Sequence, residues 1–340
     1  INKSTDHFNT KLYTGNGSND YAITGVGFQP DWVWIKARSQ TYDHMIHDAV
    51  RGQYKNIRSN QTNAEDTDSS GVKSFDTDGF TTNNGGYTNG SGVTFASWNW
   101  KAGNSSGSSN SDGSITSTVS ANTTAGFSIV KYGDSTGTQT VGHGLGSDVK
   151  VLIIKNLTSA TNWHVWHTGI ATSATHLNES SAKTDSWFSN YQNSTAPTSS
   201  VFTVKSGNGD DALGSSKDYI AYCFAEKTGF SRFGSYTGNA NADGTFIYTG
   251  FKPAMIIIKN ADANENWSIY DNKRLGYNPA YNRLYPSLSD AEVVETRLDT
   301  LSNGFKMRSG TVGHLNTSQT FIYMAFAEAP LVGSNNVPCT

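Results

Sequence analysis

The chain has 340 residues, enough for two or three domains with sizeable cores. Only 16% of the residues are charged, against about 25% in ordinary soluble proteins, while aromatics reach 12% and Gly, Ser, Thr and Asn fill the difference. A net charge of −3 gives no electrostatic case for nucleic acid or an anionic membrane, and no apolar run approaches the ~18 residues of a bilayer span.

The mixture points to many short strands joined by polar turns. The two cysteines, Cys223 and Cys339, form neither a disulfide framework nor a metal spacing, and Cys223 in "YIAYCFAE" reads as a small buried residue. The chain starts at Ile without a basic-then-apolar leader, so a processed form, or the ordered part of something longer, is expected.

In chain order, "FNTKLYTGNGSNDYAITGVGF" (8–28) opens with an aromatic strand and a Gly-rich turn, and "PDWVWIKA" (30–37) follows as an apolar strand ending in Ile-Lys. A second strand, "HMIHD" (44–48), comes next. "FDTDGF" (75–80) places Asp-Gly between apolar residues, a hairpin signal, and "VTFASWNWKAG" (93–103) closes the segment. The stretch "GNSSGSSNSDG" (103–113) has the composition of a flexible linker and is expected to be the most mobile internal segment.

The same order then recurs. "GFSIVKYGDSTGTQTVGHGLG" (126–146) leads to "DVKVLIIKN" (148–156), "WHVWH" (163–167) and "DYIAYCFAEKTG" (218–229). "GFSRFGSYTGNANADGTFIYTGF" (229–251) leads to "KPAMIIIKN" (252–260), "WSIYD" (267–271), the hairpin signal "LSNGF" (301–305) and "QTFIYMAFAEAP" (319–330). The β-branched runs before each lysine suit central strands covered on both faces, with Ile35, Ile154 and Ile258 as equivalent buried positions. Trp100, Phe224 and Phe326 stand in register in the closing strands, with the small Asn99, Cys223 and Ala325 turned to the other face.

The expected fold is therefore all-β, with three tandem β-sandwich (jelly-roll-like) modules at 1–102, 126–227 and 228–330. A flexible linker at 103–125 and a tail at 331–340 complete the division, and the short join "EKTGFSR" (226–232) implies a rigid second and third pair.

Few residues carry a chemical signal. His164 and His167 lie three apart on a strand, so they project to opposite faces and make no natural metal pair. His44 and His47 repeat them in the first module, and Ser268 and Asp271 stand there in the third. "DTDG" (76–79) and "GNGDD" (207–211) read as turn chemistry because no closing Glu of a calcium loop follows. Asp290, Glu292 and Glu295 in "SLSDAEVVE" read as a solvated face of a short helical or irregular excursion rather than as a carboxylate pair for glycoside hydrolysis. No Walker A or HExxH motif occurs, and neither a catalytic residue, a metal nor a cofactor is expected. The best contact surface is Tyr277, Tyr281 and Tyr285, spaced four apart in "GYNPAYNRLYP" (276–286), since tyrosines on a loop offer large area with few rotors. The Asn-x-Ser/Thr matches follow from composition.

With these motifs in place, the chain resembles a family of tailed-bacteriophage virion proteins of the marine-phage type, tail fibre or structural proteins built from tandem β-sandwich repeats. The resemblance runs nearly throughout, through "LYTGNGS" (12–18), "GVGFQPDWVWIK" (25–36), "FDTDGFT" (75–81), "WNWKAG" (98–103), "DGSITSTVSANTTAGFSIVKY" (112–132), "GHGLG" (142–146), "PTSSVFTV" (197–204), "YIAYCFAE" (219–226), "GSYTGNANADGTFIYTGFKPA" (234–254) and "LSNGFK" (301–306). The ending "LVGSNNVPCT" (331–340) departs from the basic terminus usual there. The resemblance brings no catalytic residues. It implies a non-enzymatic virion protein on the tail or capsid exterior, first a receptor-binding fibre component in host attachment, next a capsid decoration, head-fibre or cement protein, and third a polysaccharide-degrading tailspike. The implied partners are other virion proteins, including a homotrimer of this chain, and a host-surface glycan, without nucleic acid or membrane insertion.

Overall fold

Each of the three apolar runs that end in lysine becomes a strand held between two antiparallel neighbours. They are β3 (Trp32–Ala37), β14 (Val149–Asn156) and β21 (Pro253–Asn260). The computed structural model describes residues 1–328 except 2, 208, 210, 211, 275–277 and 279–281. Within these residues the protein is all-β, with antiparallel sheets stacked face to face and only short helices.

In the first third, β1 (Phe8–Thr14), β9 (Thr94–Trp100), β3 and β4 (Met45–Asp48) form a sheet in the order β1-β9-β3-β4. A smaller sheet, β2 (Tyr21–Thr24), β8 (Gly79–Thr82) and β7 (Val72–Asp76), lies over it. Ile23, Val72 and Phe80 of the small sheet meet Val33, Ile35 and Phe95 of the large one. A short ladder pairs β5 (Lys55–Asn56) with β6 (Asp66–Thr67).

The middle third carries β10 (Ser108–Asn110), β11 (Ser117–Asn122), β12 (Phe127–Gly133), β18 (Asp218–Ala225), β14, β15 (His164–His167) and β16 (Ala174–His176), side by side in that order. Across from them β13 (Thr138–Gly142) pairs with β17 (Val201–Lys205), and Val141 and Phe202 cover Leu152 and Ile154. The last third orders β19 (Ser231–Thr237), β27 (Thr320–Ala327), β21 and β22 (Ser268–Asp271) in one sheet. Its cover is β20 (Phe246–Tyr248), β26 (Gly304–Met307) and β25 (Leu298–Leu301), and β23 (Asn282–Arg283) pairs with β24 (Val293–Val294) beyond it. Both hairpin signals are realised: Asp76 pairs with Gly79, and Leu301 with Gly304. At each turn a Cβ on the glycine would run into the carbonyl of Ile23 or of Ile247, so a bare backbone is required.

The two-residue period sends alternate side chains of each lysine-ending strand to opposite sides. Ile35, Ile154 and Ile258 face the small sheets and are fully buried. Trp32 and Trp34, Val151 and Ile153, and Met255 and Ile257 face the other way, into one hydrophobic core fed by all three large sheets. Trp100, Phe224 and Phe326 meet there: the Phe326 ring lies 5.4 Å from Trp100 and 5.9 Å from Phe224. Every such ring, once buried, contributes about 1.5–3 kcal/mol. This core joins the first third to the other two.

The expectation of a flexible linker at 103–125 is corrected by the same sheets. β10 and β11 lie in that stretch and extend the middle sheet, with Ser108 opposite Val119 and Ala121 opposite Ser128. The start is pinned by Asp31, whose carboxylate accepts the N–H groups of Ala102 and Asn104. Ser and Asn side chains bury little, but their backbone groups complete an open sheet edge, and tertiary pairing overrides composition.

Polar groups close the seams between the large sheets. The N–H groups of Glu65, Lys183 and Glu292 donate to the carbonyls of Leu157, Ala261 and Arg38 at 3.0, 2.8 and 2.8 Å. The acceptors each lie two residues beyond Lys155, Lys259 and Lys36 respectively. Those lysines are buried. Lys155 donates to the backbone carbonyls of Thr62 and Thr161, Lys259 to those of Ser180, Asn260 and Ala263, and Lys36 to those of Ala37 and Gln40. Burial lowers Lys36 and Lys259 to about 8, which leaves both ammonium groups charged at neutral pH.

Candidate functional site

The fourth strands of the large sheets carry the polar side chains that sequence reasoning singled out, and the ladder settles their alignment. Ile35 pairs with Met45, Ile154 with His164 and Ile258 with Ser268. Met45 and Asp48 therefore occupy the places of His164 and His167, and the expected match of His44 and His47 is one residue out of register. Ser268 and Asp271 do stand there.

All four histidines are buried and engaged. His164 Nε2 lies 2.8 Å from Gln192 Oε1, and its Nδ1 has no partner. His167 accepts from the Gly169 N–H at Nδ1 and donates from Nε2 to the Tyr323 carbonyl. His47 Nδ1 faces the Lys55 carbonyl, and His44 Nδ1 accepts from the Trp34 indole. Burial pushes His164 and His47 down to about 3 and His167 to about 4, so these rings are neutral structural groups. His164 and His167 point to opposite faces, one toward the helix α2 (Asp185–Gln192; α1 is the single turn Gly86–Asn89) and one toward the shared core.

The position of His167 is also where the seams are bonded. The carboxylate of Asp48 accepts the Tyr222 phenol at 2.7 Å, that of Asp271 accepts the Trp98 indole at 3.0 Å, and His167 reaches Tyr323 at 3.0 Å. Arg51 and Arg274 neutralise Asp48 and Asp271 in fully buried pairs. These groups are consumed inside the fold.

The acidic excursion is not a solvated face. Asp290 is exposed, but Glu292 and Glu295 keep only 10% and 8% of their side-chain surface. Glu292 takes two bonds from Arg38 and another from Arg274. Glu295 is ringed by Arg283, Arg297, His314 and the Tyr270 phenol; burial pushes its carboxyl up, but His314, Arg283 and Arg297 hold it below the usual range. The ion partners lie up to 254 residues away in sequence, and no local pattern announces them.

Tyr285 is half-buried, with the Arg283 guanidinium 4.2 Å above its ring. Tyr277 and Tyr281 lie outside the described residues, as do Cys339 and the tail at 331–340. Beside Tyr285 the β23–β24 hairpin exposes Val293 and Val294, which sequence reasoning missed because a two-residue strand has no readable period. "DTDG" is turn chemistry as expected: the Asp78 carboxylate accepts the N–H groups of Gly25 and Gly27. Of "GNGDD", residues 208, 210 and 211 are outside the described residues. Among the described residues no group of three or more His, Cys, Asp or Glu converges as a metal site, and no helix is long and apolar enough to cross a membrane.

The chain belongs to the family described as "Domain of unknown function (DUF7483)", which matches residues 3–330. The match takes in all three large sheets and the core they share. No curated protein and no solved structure matches the chain.

Proposed function

We propose that the protein is a non-enzymatic component of a tailed-phage particle, on the tail or capsid exterior, that works by attachment. Its body is three copies of one sandwich module, at 1–102, 126–227 and 228–330, the middle one extended by β10 and β11, closed into a ring within a single chain. The observation that carries this reading is the order of the seam bonds. Glu65 reaches Leu157, Lys183 reaches Ala261, and Glu292 returns to Arg38. Asp48, His167 and Asp271 reach the closing strand of the next unit in the same cyclic sense.

The polar residues that recur from copy to copy are spent on this closure. Of the residues that differ between copies, Val293 and Val294 are exposed on β24 and Tyr285 is half-buried beside them, and surface segments on a rigid scaffold are where recognition usually lives. The resemblance to marine-phage virion proteins supplies the particle. A ring closed within one chain brings three sheets together without a second copy, and the expected homotrimer would join three such rings; sedimentation of the purified protein measures it.

The functional test is adsorption of purified protein to host cells, run beside incubation with capsule polysaccharide. Saturable binding without a rise in reducing ends supports attachment, and sustained depolymerisation would make the protein a tailspike enzyme instead. Replacing Tyr285 with Ala, in a protein that keeps its thermal midpoint, should weaken adsorption if this loop makes the contact.

A further inference from the structure

β20 presents Phe246 and Tyr248 to solvent, 43% and 64% exposed, while Ile247 between them is buried. Residues two apart on a strand share a face, with their Cα atoms about 7 Å apart. The rings stand on the outer side of the β20-β26-β25 sheet, away from its core. We propose that this pair is a binding platform for the hexopyranose rings of a neutral glycan. The proposal rests on the attachment reading and names the ligand class of one surface within it.

Three observations carry it. The rings serve no evident need of the fold. Opposite Tyr248 on β26 lies Gly304, over which Phe246 leans: a Cβ there would come within 3.0 Å of Phe246 Cε2. In the first small sheet Gly79 holds the same place at its turn, with the same close carbonyl, and its partner strand offers only Ala22 and Thr24. A bare glycine at this turn thus needs no aromatic cover. In β13 the matching residues are Thr140 and Gly142, which Ser114 and Asn110 cover.

The size of the patch selects the partner. Two rings with these exposures present about 200 Å² together, taking about 200 Å² for a whole aromatic side chain. A stable protein interface needs about 800 Å² from each side. The rim is made of ion pairs, Lys306 with Asp243 at 2.7 Å and Arg308 with Asp299 at 2.7 Å, so a larger apolar contact cannot continue outward.

Charge decides the remainder. Lys306 lies directly across the ladder from Phe246, and Asp299 across from Lys306. Each cation of the rim is matched by a carboxylate, so the rim attracts neither an anionic lipid surface nor an acidic polymer. It does offer both donors and acceptors beside an apolar floor. A neutral pyranose has that complementarity: a face of C–H groups for the rings and a rim of hydroxyls for the charged pairs.

The test is saturation-transfer NMR of the full chain with neutral hexaoses of glucose, mannose and galactose, and with an alginate hexaose as the acidic probe. Transfer to ring C–H protons of at least one neutral hexaose is expected, with binding about tenfold weaker in Phe246→Ala/Tyr248→Ala. Tyr248→Ser alone provides a milder variant should the double one lose its thermal midpoint. Neutral-hexaose transfer unchanged in both variants, transfer to alginate only, or no transfer to any probe would overturn the platform. Those failures remain separable from failure of the attachment reading, because host adsorption and particle location are measured without these sugars.

Discussion

Lowering the pH from 7.5 to 5.0 should destabilise this protein through its buried histidines. Each of His47, His164 and His167 has one ring nitrogen that cannot take a proton: His164 Nδ1 and His47 Nε2 are buried without an acceptor, and His167 Nδ1 already accepts the Gly169 N–H. Their folded values, about 3, 3 and 4, lie below the ordinary 6.5. Between pH 6.5 and 4 the unfolded chain therefore binds protons that the folded one refuses, and stability falls as pH falls. At pH 5 this amounts to about 1.5 pH units, or about 2 kcal/mol, for each histidine, and about 6 kcal/mol for the three.

Asp31 acts in the opposite direction. Its buried carboxyl is raised to about 6 from 3.8, chiefly by desolvation, so the folded state gains a proton first and regains about 1.4 kcal/mol at pH 5. The net loss from these four groups is about 4–5 kcal/mol, and His44, also held well below 6.5 by burial, adds to it. Urea titrations at the two pH values measure it. In His167→Gln the difference between pH 7.5 and 5.0 should shrink by about 2 kcal/mol, whatever the variant costs at pH 7.5. Equal urea midpoints for the wild type at both pH values would refute the assignment of these rings as neutral structural groups.

Other perturbations probe the seams and the core. Asp271→Asn leaves the buried Arg274 with Glu292 as its remaining carboxylate and should cost about 1.5–3 kcal/mol by chemical denaturation, whereas a loss under 1 kcal/mol would show that the Asp271 pair is not needed for closure. Lys259→Met strands three carbonyls that now share one ammonium and should cost about 2–4 kcal/mol, read from the same titration. Cys223 is fully buried with its thiol pushed up by desolvation, so a thiol reagent at pH 8 should label it only at the rate of unfolding. Because all three large sheets share one core, a nick within 104–107 should leave the pieces associated on a sizing column and unfolding in a single calorimetric transition; early release of 1–103 would argue against the shared core.

Much of the sheet was legible because its signals are local. β-branched residues before each lysine, the glycines after Asp78 and Asn303, and the aligned Trp100, Phe224 and Phe326 all follow from period and turn chemistry. The seams were not legible. Trp98 finds Asp271 across 173 residues, and nothing near either residue marks it as a partner. The same gap made Glu292 look solvated, since a carboxylate whose cation Arg38 lies 254 residues away reads as surface. Ser108–Asn110 read as linker because its side chains carry no strand signal, and its pairing is decided by an edge that the backbone can complete. Of the tyrosine surface only Tyr285 can be located, and its ring is already engaged by Arg283. The alternating "FIY" of 246–248 did carry a signal, two aromatics turned away from a buried isoleucine.

The most direct test of the account is a reconstruction of the intact phage particle at a resolution that traces side chains. The account predicts this chain on the tail or capsid exterior as a three-lobed body with one central aromatic core, the loops around Phe246, Tyr248 and Tyr285 facing away from its anchor. A particle that lacks the chain, or that holds it inside the head with those loops buried against other subunits, would contradict it.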